Sequence, residues 1–401
     1  MSVRPIKVAV FNRNFFRSAG GAESYSVSVA EGLAAHTDAA GAHDFEVHVW
    51  CQQADRTDPR ITYHTVPVGS RRRWINQIWY ATYTWWHTRR GYDIVHSHEN
   101  TWHGNVQTAH VRPVRQHQLA GLSGAKRALR WLKIVTNPRL LFYVWVEAAR
   151  HAPQKGRVVV AVSEAMRRET LVAFPKCDPN MPIIPPGVGT PNLQLAPREA
   201  RQKLGVPIDR ALMLFCGNDY GRKGLPAIMQ AMKLQPSLPN LLVVGDPNQI
   251  PKFKEQAEQL GVEDRVHFLG RCSDMALAYR SADILVHPTL DDSFAMVVLE
   301  AMSYGLPVVV SGPSYCGISA LLRDGKEAVL LDDPRDAQAL AQAITEVLSS
   351  EELRGTLAQH GRTFAAERNW SKSVELYAEL FKQMCSRKAE PLRTNQVANG
   401  R

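Results

Sequence analysis

Residues 282–311 read Ala-Asp-Ile-Leu-Val-His-Pro-Thr-Leu-Asp-Asp-Ser-Phe-Ala-Met-Val-Val-Leu-Glu-Ala-Met-Ser-Tyr-Gly-Leu-Pro-Val-Val-Val-Ser. An apolar run, Ile284–His287, reads as a buried strand. A polar loop follows, then a helix predicted to begin near Ser293, a glycine stop at Gly305 and a second buried strand ending at Ser311. A strand, a helix and a strand in this order form the unit of a parallel sheet. Asp292 stands at the mouth of the loop and Glu300 eight positions on, a spacing that puts both carboxylates roughly on one helical face. The free N–H groups and positive dipole end of such a helix suit an anion such as a diphosphate.

Strands alternate with helices along the whole chain, the pattern of an α/β protein. The first half offers strands at Ile6–Phe11, Phe45–Trp50, Ile61–Val66, Ile94–His98, Val106–His110 and Val158–Val162, with a short one at Ile183–Val188. After a Pro/Gly-rich connector the second half offers Ala211–Cys216, Asn240–Gly245, Val266–Leu269, Ile284–His287, Val308–Ser311 and Ala328–Leu331. Two such halves leave a cleft between them, where ligands of α/β proteins bind. The expected division is 1–190 for an acceptor-binding domain, 191–368 for a donor-binding domain, 369–385 for a terminal helix packing back toward the first domain, and 386–401 for a disordered tail.

The 401 residues suffice for two full cores. The opening Ile6–Phe11 reads as a strand rather than the core of a signal peptide, and no run reaches the roughly 18 apolar residues of a membrane span. Cys51, Cys177, Cys216, Cys272, Cys316 and Cys385 are scattered without ligand spacing, which predicts reduced thiols and no structural metal. The net charge of +10 calls for an anionic partner or is plain surface charge. Nucleic acid is not favoured, because no binding module is present. Two segments interleave basic residues with tryptophan, 71–90 and 126–146. In the first, Trp74, Ile78, Trp79 and Trp86 can share a helical face. Such segments suit an anionic membrane surface; a helix packed on its own domain with its arginines wet would show the same pattern.

Three loops carry candidate chemistry. Gly20-Gly21-Ala22-Glu23 follows the first strand and opens a helix, letting a ligand approach the backbone. Gly217-Asn218-Asp219-Tyr220-Gly221-Arg222-Lys223-Gly224 follows a strand of the second half, and Arg222 with Lys223 can clamp a diphosphate. His98 ends a strand of the first half, with Asn105 and His110 on or after the next.

Together the 217–224 loop, the Val-Val-Gly-Asp strand end at 243–246, Arg-Val-His-Phe-Leu-Gly at 265–270 and the acid-x7-acid motif resemble the retaining nucleotide-sugar glycosyltransferases of family four. The resemblance implies the GT-B architecture, two Rossmann-like domains with parallel sheets facing a deep cleft. It is closest to the members that glucosylate lipopolysaccharide core. It implies that Arg222 and Lys223 stabilise the departing UDP, that Glu300 takes the ribose hydroxyls, and that Asp292 with the backbone of Phe294, Ala295 and Met296 meets the donor sugar. Gly20, Gly21, Gly217, Asn218 and Arg271 would complete the donor site, and His98, Asn105 or His110 would line the reaction centre. No metal or other cofactor is implied, the two cations doing the charge neutralisation. The expected activity is transfer of a hexose, foremost glucose, from a UDP-sugar to a lipopolysaccharide core oligosaccharide. The alternatives are another envelope glycan (O-antigen, capsule or glycolipid) and a sugar-nucleotide 2-epimerase. The expected location is cytoplasmic, on the inner face of the cytoplasmic membrane. Three positions depart from the family pattern: Asp292 for the usual Glu, Ala295 for Gly, and Asn105 where relatives carry Asp.

Overall fold

The computed structural model describes residues 4–389 apart from 18, 19 and 120. The first half builds β1 (Ile6–Phe11), β2 (Asn14–Phe15), β3 (Phe45–Cys51), β4 (Gln53–Ala54), β5 (Thr62–Thr65), β6 (Ile94–Ser97), β7 (Val106–Ala109) and β8 (Val158–Ala161). The second builds β9 (Leu212–Gly217), β10 (Asn240–Gly245), β11 (Val266–Gly270), β12 (Ile284–His287), β13 (Val308–Ser311) and β14 (Val329–Leu331). The first sheet has the order β5-β3-β1-β6-β7-β8 and the second β11-β10-β9-β12-β13-β14, with every pairing parallel. The reason is legible in the strands: Leu212–Cys216, Val308–Val310 and their neighbours are apolar on both faces, as strands covered by helices on both sides must be.

In each sheet the strand order reverses once, between β1 and β6 and between β9 and β12. Helices leave the two strands of such a pair on opposite faces, opening a crevice at the carboxyl ends. The Gly20–Glu23 turn, His98, the 217–224 loop and the 288–295 loop lie beyond the carboxyl ends of these four strands. The β2–β4 ribbon, which the sequence reading did not foresee, extends the rim of the first sheet.

Several expected boundaries move. Ile183–Val188 forms no strand; Ile183 makes a single bridge to Ala161, because the prolines at 185 and 186 cannot donate to a ladder. The helix expected from Ser293 begins at Met296. Asp292 therefore lies outside it, and the two acids do not share a helical face. The last helix runs Trp370–Ala389, so residues 386–389 are helical rather than tail; 390–401 lie outside the described residues. That helix buries Val374, Tyr377, Ala378, Phe381 and Met384 in the core of the first half. Tyr377 is hydrogen-bonded to Tyr25 at 3.1 Å and to Thr108 at 2.7 Å. The chain crosses between halves twice, and the crossings touch. A Cβ on Gly187 would lie 2.3 Å from the Trp370 nitrogen, so only glycine fits there.

The basic aromatic segments form two helices of different kind. In Arg73–Thr88, Trp74 and Ile78 are half-buried rather than on an open face, while Trp79, Trp85 and Trp86 are exposed. Trp79 still donates its indole N–H to the Pro67 carbonyl. The helix Gly124–Val135 buries only Ile134. Its apolar face, Ala125, Ala128, Leu129, Leu132 and Val135, points to solvent, with Leu129 66% and Leu132 58% exposed. Lys126 and Lys133 flank that face.

Candidate active site

The second half supplies a cation held by carboxylates. Lys223 turns back past Gly217, where a Cβ would stand 2.8 Å from the lysine Cγ, so the missing side chain is what lets the lysine stem through. Gly224 has φ +91° and packs on the Pro288 carbonyl, 2.0 Å from where a Cβ would sit, fixing this loop against the next. The Lys223 ammonium meets Asp292 Oδ2 at 2.5 Å and the Asp291 carbonyl at 3.3 Å. His287 Nε2 lies 3.3 Å from the same carboxylate, whose other oxygen accepts the N–H groups of Phe294 and Ala295. Burial alone would raise the Asp292 carboxyl; the His287 hydrogen bond and the Lys223 charge outweigh it and hold Asp292 ionised far into acid. Burial pushes His287 down, so it is neutral and donates.

Two N–H groups expected to face a sugar are thus spent on Asp292. This follows from the conformation of Ala295, whose φ of +69° turns the loop into the helix. Ala295 is 3% exposed and belongs to the apolar core of the second half. The groups left for an anion are the amides at the start of Met296–Ser303 and the Arg222 guanidinium. Arg222 is half exposed, 3.3 Å from Asp219 and 3.8 Å from Asp291, with its own backbone pinned by Leu290. Farther along the helix, Glu300 accepts the Tyr279 hydroxyl at 2.5 Å; burial raises its carboxyl and that bond opposes the rise. Tyr279 escaped the sequence reading, since it lies 21 residues from its partner. Arg271 is exposed just past β11, two strands out from β9.

In the first half, His98 and His110 are joined Nδ1 to Nε2 at 2.8 Å, with rings stacked at 5.1 Å. Enclosure pushes both down, His110 to about 3, so the pair is neutral near pH 7 and shares one bridging proton. Asn105 does not join them. It precedes β7 at the amino end, where its Oδ1 accepts the Val95 N–H at 2.7 Å and its amide donates to the Asp93 carbonyl. Site residues of a parallel sheet sit at carboxyl ends, and Asn105 holds together the opposite edge.

The loops of the two halves meet. Ser163 donates to the Ser293 carbonyl at 2.8 Å, and Arg112 pairs with Asp291 at 2.8 Å. A Cβ on Gly21 would be 3.4 Å from Met296 Sδ, and one on Gly20 3.9 Å from the Asn218 amide. Gly20, Gly21, Gly217, Asn218, Arg222, Lys223, Asp292, Phe294 and Met296 therefore ring one cleft, with Glu300 set deeper on the same helix. Among the described residues no cluster of His, Cys, Asp or Glu is suited to a metal ion.

Two family profiles divide the chain at this cleft. The one for Glycosyltransferase Family 4 matches residues 19–190, and the one for Glycosyl transferases group 1 matches residues 197–364. The chain is a glycosyltransferase of GT-B fold, its first half matching family four and its second half group 1. This GT-B chain is 30% identical over 218 residues to a D-inositol 3-phosphate glycosyltransferase of Corynebacterium urealyticum, covering 50% of the chain and 51% of the relative. It is 32% identical over 168 residues to the lipopolysaccharide glucosyltransferase WaaG of Escherichia coli K12, covering 41% and 44%. In these alignments the chain spans about half the length of the curated relatives it matches. Among solved structures, WaaG superposes with a TM-score of 0.78 at 24% identity, over 93% of this chain and 99% of that one. Alr3699/HepE from Anabaena, solved with UDP-glucose, gives 0.72 at 18% over 94% and 100%. Both likenesses bear on the fold.

Proposed function

We propose that this protein moves a hexose, foremost glucose, from UDP-hexose to a sugar of lipopolysaccharide core, with retention and without a metal. The observation that carries the reading is the Lys223 ammonium, fixed by Asp292 beside the half-exposed Arg222 guanidinium at a helix N-terminus on the switch point. Two cations and free amides at one place match the charge that builds on UDP as the sugar leaves. Asp292 then acts by aiming the lysine, and Glu300, oriented by Tyr279, takes the ribose hydroxyls. The glycosidic bond to the β-phosphate breaks, the acceptor hydroxyl attacks C1 from the same face, and a β-phosphate oxygen takes its proton. His98 and His110, neutral, line the acceptor side. The likeness to the lipopolysaccharide glucosyltransferase supports glucose and a lipopolysaccharide acceptor, the likeness to D-inositol 3-phosphate glycosyltransferases is equally strong, and a structural neighbour solved with UDP-glucose supports the nucleotide.

The acceptor reading places the chain at a membrane surface. The outward apolar face of Gly124–Val135 with its flanking lysines fits shallow insertion into an anionic leaflet, and no described helix is long and apolar enough to cross a bilayer.

Calorimetry with UDP, UDP-glucose, UDP-galactose, UDP-N-acetylglucosamine and GDP-mannose, in chelator, tests the donor site. Tight binding of a UDP-sugar that falls at least 100-fold in Arg222→Ala/Lys223→Ala is expected, two charge-assisted contacts being lost. Binding of no nucleotide would overturn the reading, and conversion of UDP-sugar to an epimer without acceptor would replace it with the 2-epimerase.

A further inference from the structure

Arg112 follows β7 in the first half and reaches across to the 288–295 loop of the second. Its Nε lies 2.8 Å from Asp291 Oδ1 and 2.9 Å from Oε2 of Glu169, a residue of the helix Glu164–Ala173. One carboxylate from each half thus shares one guanidinium, and all three side chains are mostly enclosed. Burial pushes the Glu169 carboxyl up; Arg112 opposes this, Asp291 adds to it and Arg168 opposes it again.

Asp291 also faces the cation proposed to hold the donor. The Leu290 N–H donates to the Arg222 carbonyl at 2.8 Å, which fixes the loop, and the Asp291 carboxylate stands 3.8 Å from the Arg222 guanidinium. Lys223 is on the same loop, its ammonium bound to the Asp291 carbonyl oxygen and to the Asp292 carboxylate. Asp219, the other carboxylate near Arg222, lies half in water, where an ion pair holds weakly. A carboxylate beside Arg222 competes with a diphosphate for the same guanidinium. The Arg112 pair is closer and better enclosed than the Arg222 pair, so Asp291 is held chiefly from the opposite half. Resting on the transferase reading above, we infer that Arg112 is a positioning residue for donor binding: by neutralising Asp291 it leaves the Arg222 guanidinium available to the diphosphate. Donor affinity is thereby tied to the approach of the two halves, since Asp291 is masked only while Arg112 reaches it.

The test is calorimetry with UDP, in chelator, on wild type, Arg112→Ala, Asp291→Asn and the double variant. Removing Arg112 should weaken UDP binding about 10-fold, the loss of one charge-assisted contact, because Asp291 then takes Arg222. Asp291→Asn alone should bind UDP more tightly than wild type. With Asp291→Asn in place, removing Arg112 should cost less than about 2-fold, the non-additivity expected of groups in contact. Arg112→Lys, which keeps a cation between the two acids, should lie closer to wild type than Arg112→Ala does, and thermal melts on both guard against a folding defect. Undiminished UDP binding in Arg112→Ala, or an equal loss with and without Asp291→Asn, would overturn the inference alone. So would weaker binding in Asp291→Asn, which would make the bridge a simple tether between the halves. A wild type that binds no nucleotide would instead remove the transferase reading and this inference with it.

Discussion

Ala295 shows how one residue sets the electrostatics of the site. Its left-handed conformation lets the N–H groups of Phe294 and Ala295 reach back to Asp292. That position costs an alanine roughly 1–2 kcal/mol that glycine does not incur, offset in part by the roughly 0.5–1 kcal/mol of chain entropy that glycine gives up on folding. Ala295→Gly is therefore expected to stabilise the second half by about 0.5–1 kcal/mol, read as a rise of a few degrees in its thermal midpoint. An unchanged or lower midpoint would mean that the buried methyl contributes more packing than the backbone loses. The residue types of the donor site were legible in the sequence, but their pairing was not. Lys223 and Asp292 are 69 positions apart and meet because β9 and β12 are neighbours. Asn105 misled for the converse reason: it is close to His110 in sequence, yet at the other end of the same strand.

At the scale of elements, the helices Arg73–Thr88 and Gly124–Val135 read alike as basic aromatic segments and behave differently in the fold. The first buries Asn76, Gln77, Tyr80 and Thr84, whereas the second buries Ile134 and otherwise holds on through Arg130 to Gln118 and Arg115 over Trp131. Leu129→Asp/Leu132→Asp should weaken sedimentation with anionic vesicles by 100-fold or more, because burial of each leucine in lipid is worth about 1.5–3 kcal/mol. The melting curve should be unmoved, since both side chains already face solvent. Trp85→Ala/Trp86→Ala serves as the comparison, and a smaller loss is expected, because the Arg89 guanidinium already covers the Trp86 ring at 3.7 Å. Vesicle binding that survives the leucine pair and fails with the tryptophan pair would transfer the membrane role to the other helix.

Across the whole molecule, the enclosed histidines couple stability to pH. Burial holds His96, His103, His110 and His151 each down to about 3. In the unfolded chain each takes a proton near pH 6.5, so between about 6.5 and 3 the unfolded state binds more protons. The stability present above pH 6.5 is lost as pH falls, by about 1.4 kcal/mol per pH unit for each histidine that stays neutral. Urea unfolding at pH 7.5 and 5 should show a marked fall in midpoint, with most of the loss in the first half, where all four reside. A flat profile over that range would mean that the histidines protonate in the folded state.

The sequence by itself determined the architecture. Strand composition, helix alternation and the glycine-marked loops are local signals, and they gave two parallel sheets and the loops that face each other. It also supplied the Arg222, Lys223 and Glu300 set and the absence of ligand spacing among the cysteines. Only the tertiary structure decided which charges are free. Strand order, not spacing, brought Lys223 to Asp292, Tyr279 to Glu300 and Arg112 to Asp291. The return of Trp370–Ala389 onto the first half, through the Tyr25 and Tyr377 hydroxyls, likewise joins residues 352 positions apart. Partner choice depends on distances between elements distant in the chain, and no local pattern encodes those distances.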